Sequence, residues 1–219
     1  MNNKLTVIGA GFAGCEAAWA AAERGVKVEL YEMKPKKFSP AHKYNGFAEL
    51  VCSNSLKASR VNSAAGLLKE EMRRLGSLTV PCAEETAVPA GGALAVDREK
   101  FSDLVTEKVR SHPNITVINE EIEAVPTEGY AVIASGPLTA GKLAQSISEL
   151  CGGYLSFFDA AAPIVTAESI DMTKAFSAAR YGRGGDDYIN CPFDKEEYLR
   201  FYNELINAES APVHDFDRP

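Results

Sequence analysis

At 219 residues, with 46% hydrophobic and 24% charged content, the chain suits one large domain or one and a half, and its composition excludes disordered and fibrous classes. No apolar run reaches the roughly 18 residues of a membrane span, and the opening MNNKLTVIGA lacks the features of a signal peptide, so no membrane association and a cytoplasmic location are expected. A formal net charge of −7 argues against a generic nucleic-acid binder. Five scattered cysteines (Cys15, Cys52, Cys82, Cys151, Cys191) form no C-x-x-C pair and no metal spacing beside the histidines, which argues against a disulfide scaffold or a metal site.

In chain order, KLTVI (residues 4–8) reads as a short buried strand, Gly9 to Gly14 as a turn, and Phe12 to Arg24 as an Ala-rich helix stopped by Gly25. VKVELY (26–31) supplies a second strand, and connections this short predict a parallel pair with a right-handed crossover. Residues 34–62 hold Pro35, Pro40 and Gly46 and few periodic apolar positions, so an extended, functional loop region is expected. A helix follows, with Ala64, Leu67, Leu68, Met72 and Leu75 on one face and Gly76 as its stop. VPCAEETAVPAGGALAVDR is rich in Pro and Gly, and Asp97 within it can cap a helix whose core face is Phe101, Leu104, Val105 and Val109. ITVIN (115–119), EIEAV (121–125) and the buried YAVIASG (130–136) read as strands, after which Thr139 opens a helix carrying Ala140, Leu143, Ala144, Ile147 and Leu150. Beyond Gly152 the composition turns aromatic through SFFDAAAPIV and RYGRGGDDYIN. The last helix has a capping box, Asp194 with Glu197, and Tyr198, Phe201, Tyr202, Leu205 and Ile206 on one face. A domain boundary is expected near Gly152 to Pro163.

The run VIGAGFAG carries the most chemistry. Gly9, Gly11 and Gly14 form G-x-G-x-x-G directly after a strand and at the opening of a helix, and Glu32 ends the next strand. In such a unit Gly9 allows the tight turn, Gly11 lets a pyrophosphate approach the backbone, and Gly14 lets helix and strand pack closely. The helix N-terminus offers free N–H groups to the phosphates, so Gly9, Ala10, Gly11, Phe12, Ala13 and Gly14 are candidate dinucleotide contacts. Glu32 suits a ribose diol and disfavours a 2′-phosphate, leaving FAD and NAD open. The A-S-G turn at Gly136 follows the order of many FAD enzymes, in which such a turn closes the sheet near the flavin.

Cys52 stands apart from the other cysteines, which read as buried small hydrophobes. It lies in ELVCSNSL, a polar loop after the dinucleotide unit, where Ser53, Asn54 and Ser55 can donate hydrogen bonds to a thiolate or a flavin and basic residues can favour the thiolate. Between Lys34 and Arg74 nine basic residues face three acids, a local excess of +6 against −13 for the rest of the chain. Such a run is either a solvated face or a docking surface for a phosphate-rich partner.

Several stretches together, VIGAGFAGCEAAW, ELVCSNSL, VNSAAGLLKEEMR, VPAGGALAVDR, IASGPLTA and DDYINCPF, closely resemble the folate- and FAD-dependent tRNA (uracil-5-)-methyltransferases. The resemblance runs through all 219 residues. It implies a Rossmann-like FAD/NAD(P)-binding α/β fold with a parallel sheet, over residues 1–152, and the start of a smaller inserted α+β domain over 153–219. It also implies a tRNA partner bound through its T-arm, with NADPH or NADH, FAD and 5,10-methylenetetrahydrofolate together building the methyl group on uracil C5. In that family two cysteines serve. Cys52 matches the one in the L-V-C-S-N-S-L motif, which implies a catalytic role as base or acid at C5 or as a transient partner of the flavin-bound carbon. The other, the C6 nucleophile, lies in an F-E-G-C-x-P motif absent here, and Cys191 in NCPF is not its counterpart. The resemblance therefore implies an N-terminal half. Without it, the residues leave open a flavin or NAD oxidoreductase of a small substrate, or an inactive cofactor-binding module.

Overall fold

The computed structural model describes residues 4–153, 165–179 and 185–209. The chain divides into two compact units, Met1–Phe157 and Phe158–Pro219. No helix among the described residues is long and apolar enough to cross a membrane.

The first unit is a Rossmann-like α/β fold. Its four-stranded sheet joins β1 (Lys4–Ile8), β2 (Lys27–Tyr31), β6 (Ile115–Ile118) and β7 (Tyr130–Ile133) in the order β6-β2-β1-β7, every pair parallel. Helix α1 (Phe12–Glu23) buries Cys15, Ala18 and Ala22, small side chains that let it lie close to the strands. Helix α4 (Arg98–Ser111) starts where the Asp97 carboxylate accepts the Lys100 N–H, and it buries Phe101, Val105 and Val109 as its periodicity predicts. Phe12 stacks on Phe101 with ring centroids 5.3 Å apart, joining the two helices over one core with Val7, Val28 and Leu30.

Five expectations are corrected. The segment 34–62 is not all loop: β3 (Ser55–Ala58) pairs with β5 (Ala93–Val96), which pairs with β4 (Ala87–Val88), in a second, antiparallel sheet of order β3-β5-β4. Pairing between segments some 40 residues apart supplies strand character that local composition hides. The Pro-rich VPCAEET stretch contains α3 (Thr79–Glu85), whose first N–H groups are satisfied by a distant acid: Glu16 accepts from Leu78 N, Thr79 N and the Ser77 and Thr79 hydroxyls. EIEAV forms no strand; Val125 N donates to Ser146 Oγ and Glu123 pairs with Lys142, tying the segment to helix α5 (Gly141–Leu150). Strand β7 is exposed rather than buried, with Tyr130 76% accessible, because it is the last strand of its sheet. Finally, the leucine face of α2 (Ala64–Arg74) points to solvent: Leu67 and Leu68 are exposed, as is Leu75 just beyond its end, while Gly66 and Lys69 are buried.

In the second unit, β8 (Phe176–Ala178) and β9 (Tyr188–Asn190) form an antiparallel pair, and α6 (Lys195–Ile206) has its capping box, Asp194 accepting Glu197 N and Glu197 accepting Asp194 N. The α6 side chains Tyr198, Phe201, Tyr202, Leu205 and Ile206 are exposed. Most of SFFDAAAPIV, the start of RYGRGGDDYIN, the APVHDFDRP end and most of the predicted boundary region lie outside the described residues.

Candidate cofactor and catalytic site

A cavity of about 470 Å³ opens at the carboxyl ends of β1, β2 and β7, where open parallel sheets place their ligands. The strand ends form its wall through Gly9 N donating to Tyr31 O and Ala134 N donating to Ile8 O, both at 2.8 Å. The glycines divide the labour. Gly9 has φ +97°, and a Cβ there would stand 2.6 Å from Ala134 O. A Cβ on Gly14 would lie 1.7 Å from Gly9 O, so this glycine packs behind the turn and does not line the cavity. A Cβ on Gly11 would meet nothing within 4 Å: the backbone there is bare toward open space. Gly11 is also the N-cap of α1 and has no side-chain cap, leaving the helix's leading N–H groups for a ligand. This bare cradle fits a diphosphate, as FAD carries.

Glu32, 7% exposed, lies beside it. Its carboxylate accepts Ala10 N at 2.8 Å and Lys34 N at 2.9 Å, one on each oxygen, which fixes the acid's direction and leaves lone pairs for a ribose diol. The cavity thus collects Gly9, Ala10, Gly11, Phe12, Ala13, Glu32 and Gly136 of the predicted set. At the Gly136 turn Ser135 Oγ and Thr139 Oγ1 are 2.7 Å apart, and Thr139 Oγ1 also donates to Gly136 O; α5 starts at Gly141, two residues later than predicted.

The loop with Cys52 borders this cavity without entering it. Glu49 and Val51 line the wall; Cys52 itself is exposed and is not part of the lining. Ser53 and Asn54 serve the loop's own structure. Ser53 Oγ accepts Ser55 N, and Asn54 grips β5 through Nδ2 to Val96 O (3.0 Å) and its carbonyl to Val96 N (2.9 Å). Cys15 is the opposite kind of thiol: burial first, then the Glu32 and Glu16 carboxylates, pushes it up to about 12. Burial raises Cys82 as well, but Cys151 and Cys191 are exposed rather than buried as expected, since each lies just beyond a regular element and outside the core.

Sequence reasoning missed Lys34 and Glu49. Lysine after a strand reads as surface, yet Lys34 is buried and its ammonium meets Tyr44 O, Gly46 O and Glu49 Oε2. No local signal announces a lysine whose partners lie 10 to 15 residues on. The basic segment is likewise spent internally. Lys34 and Lys69 are buried, and desolvation lowers the Lys69 ammonium; Lys37 pairs with Glu121, Arg73 with Glu70 and Glu84, and Arg74 with Glu70. Lys36, Lys43, Lys57 and Arg60 are exposed and make no ion pair among the described residues.

The family model described as "Glucose inhibited division protein A" matches residues 4–219. The chain belongs to the glucose inhibited division protein A family. Among relatives within reach of this family, a protein of Acetivibrio thermocellus named Methylenetetrahydrofolate--tRNA-(uracil-5-)-methyltransferase TrmFO is 64% identical over 219 residues, 100% of this chain and 50% of that protein. A protein of the same name from Geobacter sp. (strain M21) is 58% identical over 100% of this chain and 50% of its own length. The chain therefore spans about half the length of the curated relatives it matches. The solved structure of Aquifex aeolicus GidA in its form II crystal is 19% identical, covers 57% of this chain and 20% of its own, and has a TM-score of 0.46.

Proposed function

We propose that this chain is the cofactor-binding part of a flavoprotein that methylates uracil C5 in the T-arm of tRNA, in the cytoplasm, with methylenetetrahydrofolate as one-carbon donor and NADPH or NADH as reductant. Residues 1–152 form its FAD-binding domain and 153–219 part of a second domain. The observation that carries this reading is the bare backbone cradle at Gly11 beside the fixed carboxylate of Glu32, in a chain 64% identical to a relative named for this reaction.

Gly11 and the first turn of α1 hold the diphosphate through backbone N–H groups, Glu32 orients the ribose, and Gly136 closes the wall near the reactive ring. When bound, FAD supplies the redox chemistry that turns the folate carbon into a methyl group. Cys52, on the exposed loop, acts as acid or base at uracil C5 and must be reachable by a base turned out of its RNA stack. Ser53 and Asn54 contribute as the short tether that fixes the thiol's loop. Lys36, Lys43, Lys57 and Arg60, the exposed cations of the basic segment that make no ion pair among the described residues, are the candidate phosphate contacts.

Two measurements test this. Titration of the purified protein with FAD is expected to give a yellow 1:1 complex whose formation fails in Glu32→Leu. In the complete enzyme supplied with tRNA transcript, folate donor and NADPH, Cys52→Ala is expected to abolish methyl transfer; wild-type turnover refutes the thiol's role, and turnover indifferent to tRNA points to an ordinary oxidoreductase.

A further inference from the structure

Lys34 is the least solvated ion in the neighbourhood of the cavity: its side chain is 5% exposed and that of its partner Glu49 12%. An ammonium has three N–H donors, and here three acceptors meet it, Tyr44 O at 3.0 Å, Gly46 O at 2.5 Å and Glu49 Oε2 at 3.3 Å. Glu49 turns its other oxygen to Lys43 N (2.8 Å) and Tyr44 N (3.0 Å). Burying an ion pair does not by itself favour the fold, so what the pair contributes is sought in what it connects.

Connectivity supplies one. Ala48 N donates to Ala10 O in the glycine turn at 2.9 Å, Ala10 N donates to Glu32 Oε2, and Lys34 N donates to Glu32 Oε1. With the Lys34–Glu49 pair these bonds close a ring: Glu32, Ala10, Ala48, Glu49, Lys34 and back to Glu32. Phe47 and Ala48 are fully buried inside it, Ser102 Oγ donates to Phe47 O, and Phe47 N donates to Thr106 Oγ1. Ala48 is held at φ +47°, a left-handed conformation that costs a non-glycine residue about 1 kcal/mol and persists only when its surroundings impose it. Glu49 and Val51 line the cavity, and Cys52 follows directly.

We propose that Lys34 is a positioning residue that locks the 43–49 loop onto the glycine turn and so couples cofactor occupancy to the placement of Cys52. This rests on the proposed binding of FAD. The clamp acts through backbone: a ligand pressing on Ala10 and Glu32 bears on Ala48 and Glu49, and from them on the thiol three residues further along. Lys34 itself moves no proton and touches no reacting atom.

Two variants test it. Lys34→Met keeps the apolar stem and removes the ammonium; Glu49→Gln keeps an acceptor for the Lys43 and Tyr44 N–H groups while removing the charge, and it serves should the first variant fail to fold. In the protein without FAD, amide exchange at Tyr44 and Ala48 is expected to rise about tenfold or more in either variant, with β2 amides unchanged. Unaccelerated exchange overturns the clamp, whether or not FAD binds. The second readout is alkylation of Cys52 by iodoacetamide, followed by peptide mass with and without FAD. FAD is expected to slow it about tenfold in the wild type and less than about threefold in the variants at saturating FAD. A purely structural lysine would lower the melting temperature of both variants and leave that protection ratio at its wild-type value, which overturns the coupling. If FAD neither binds nor protects Cys52 in the wild type, the cofactor reading fails, and the exchange result still decides the clamp.

Discussion

The glycine turn and the Cys52 loop sit side by side on one cavity and are built in opposite ways. Between Gly9 and Gly14 the backbone is over-determined: two of three glycines have no room for a methyl group, and the strand ends on either side are hydrogen-bonded across the turn. Between Val51 and Ser53 every residue is exposed, and the loop is held chiefly at its two ends, by Glu49 and by Asn54. A ligand cradle needs fixed backbone, because its donors are main-chain N–H groups, whereas a reactive thiol needs access. The fold spends its packing on the first and leaves the second open.

Measurements on single variants put this opposition at risk. The largest expected effect is in thiol reactivity. Burial, with the Glu32 and Glu16 carboxylates, pushes Cys15 up to about 12, so its unreactive thiol form dominates at pH 8. Iodoacetamide at pH 8 should therefore label exposed Cys52 about a thousandfold faster or more than buried Cys15, as mass mapping will show; comparable labelling means that α1 opens readily. Next comes Gly14→Ala. The methyl group would overlap Gly9 O, and the fold should lose about 3 kcal/mol or more by denaturant titration, with FAD binding lost as well. Glu32→Leu leaves Ala10 N and Lys34 N without their acceptor, for a loss of about 2 kcal/mol in the same titration. The smallest effect on stability belongs to Cys52→Ala, within about 0.5 kcal/mol of wild type, although it is the change expected to end catalysis. Were Cys52→Ala to destabilise as much as Glu32→Leu, the thiol would be a packing residue and the contrast would vanish.

Charge offers a finer comparison. Lys36, Lys43, Lys57 and Arg60 are exposed and unpaired among the described residues, whereas Lys37, Arg73 and Arg74 are committed to acids. Replacing the first four by Ala is expected to weaken tRNA binding and flatten the dependence of log affinity on log salt by about three units, while replacing the second three changes the slope by less than about one. Equal slopes in both sets would move the RNA surface elsewhere.

How much of this was legible in the chain depends on distance along it. The β1-turn-α1-β2 unit, Glu32 at its end, the Asp97 and Asp194 caps and the core face of α4 were all readable, since each is a pattern within one or two turns or strands. The antiparallel β3-β5-β4 sheet was not, because Ser55 and Ala58 gain strand geometry only from partners at Ala95 and Ala93. Helix α3 escaped for the same reason, its N-terminus being satisfied by Glu16 more than 60 residues earlier. In α2 the hydrophobic stripe misled: Leu67 and Leu68 are periodic but exposed, and the contact is made by Gly66, whose Cβ would stand 1.8 Å from Arg60 O, and by buried Lys69, whose ammonium donates to Leu56 O and Ala65 O. Burial there is decided by close backbone approach, which apolar periodicity does not record.

The glycine turn, its helix and the acid that faces it follow from the residues alone, because local sterics, capping and strand period act over a few residues. The packed fold, in contrast, settles which polar groups are free to act. It buried Lys34 against three acceptors, spent Asn54 on Val96, paired Lys37, Arg73 and Arg74 with acids and left Cys52 exposed. The physical reason is that the availability of a charge or a lone pair depends on every group within hydrogen-bonding reach, and most of those groups come from distant parts of the chain.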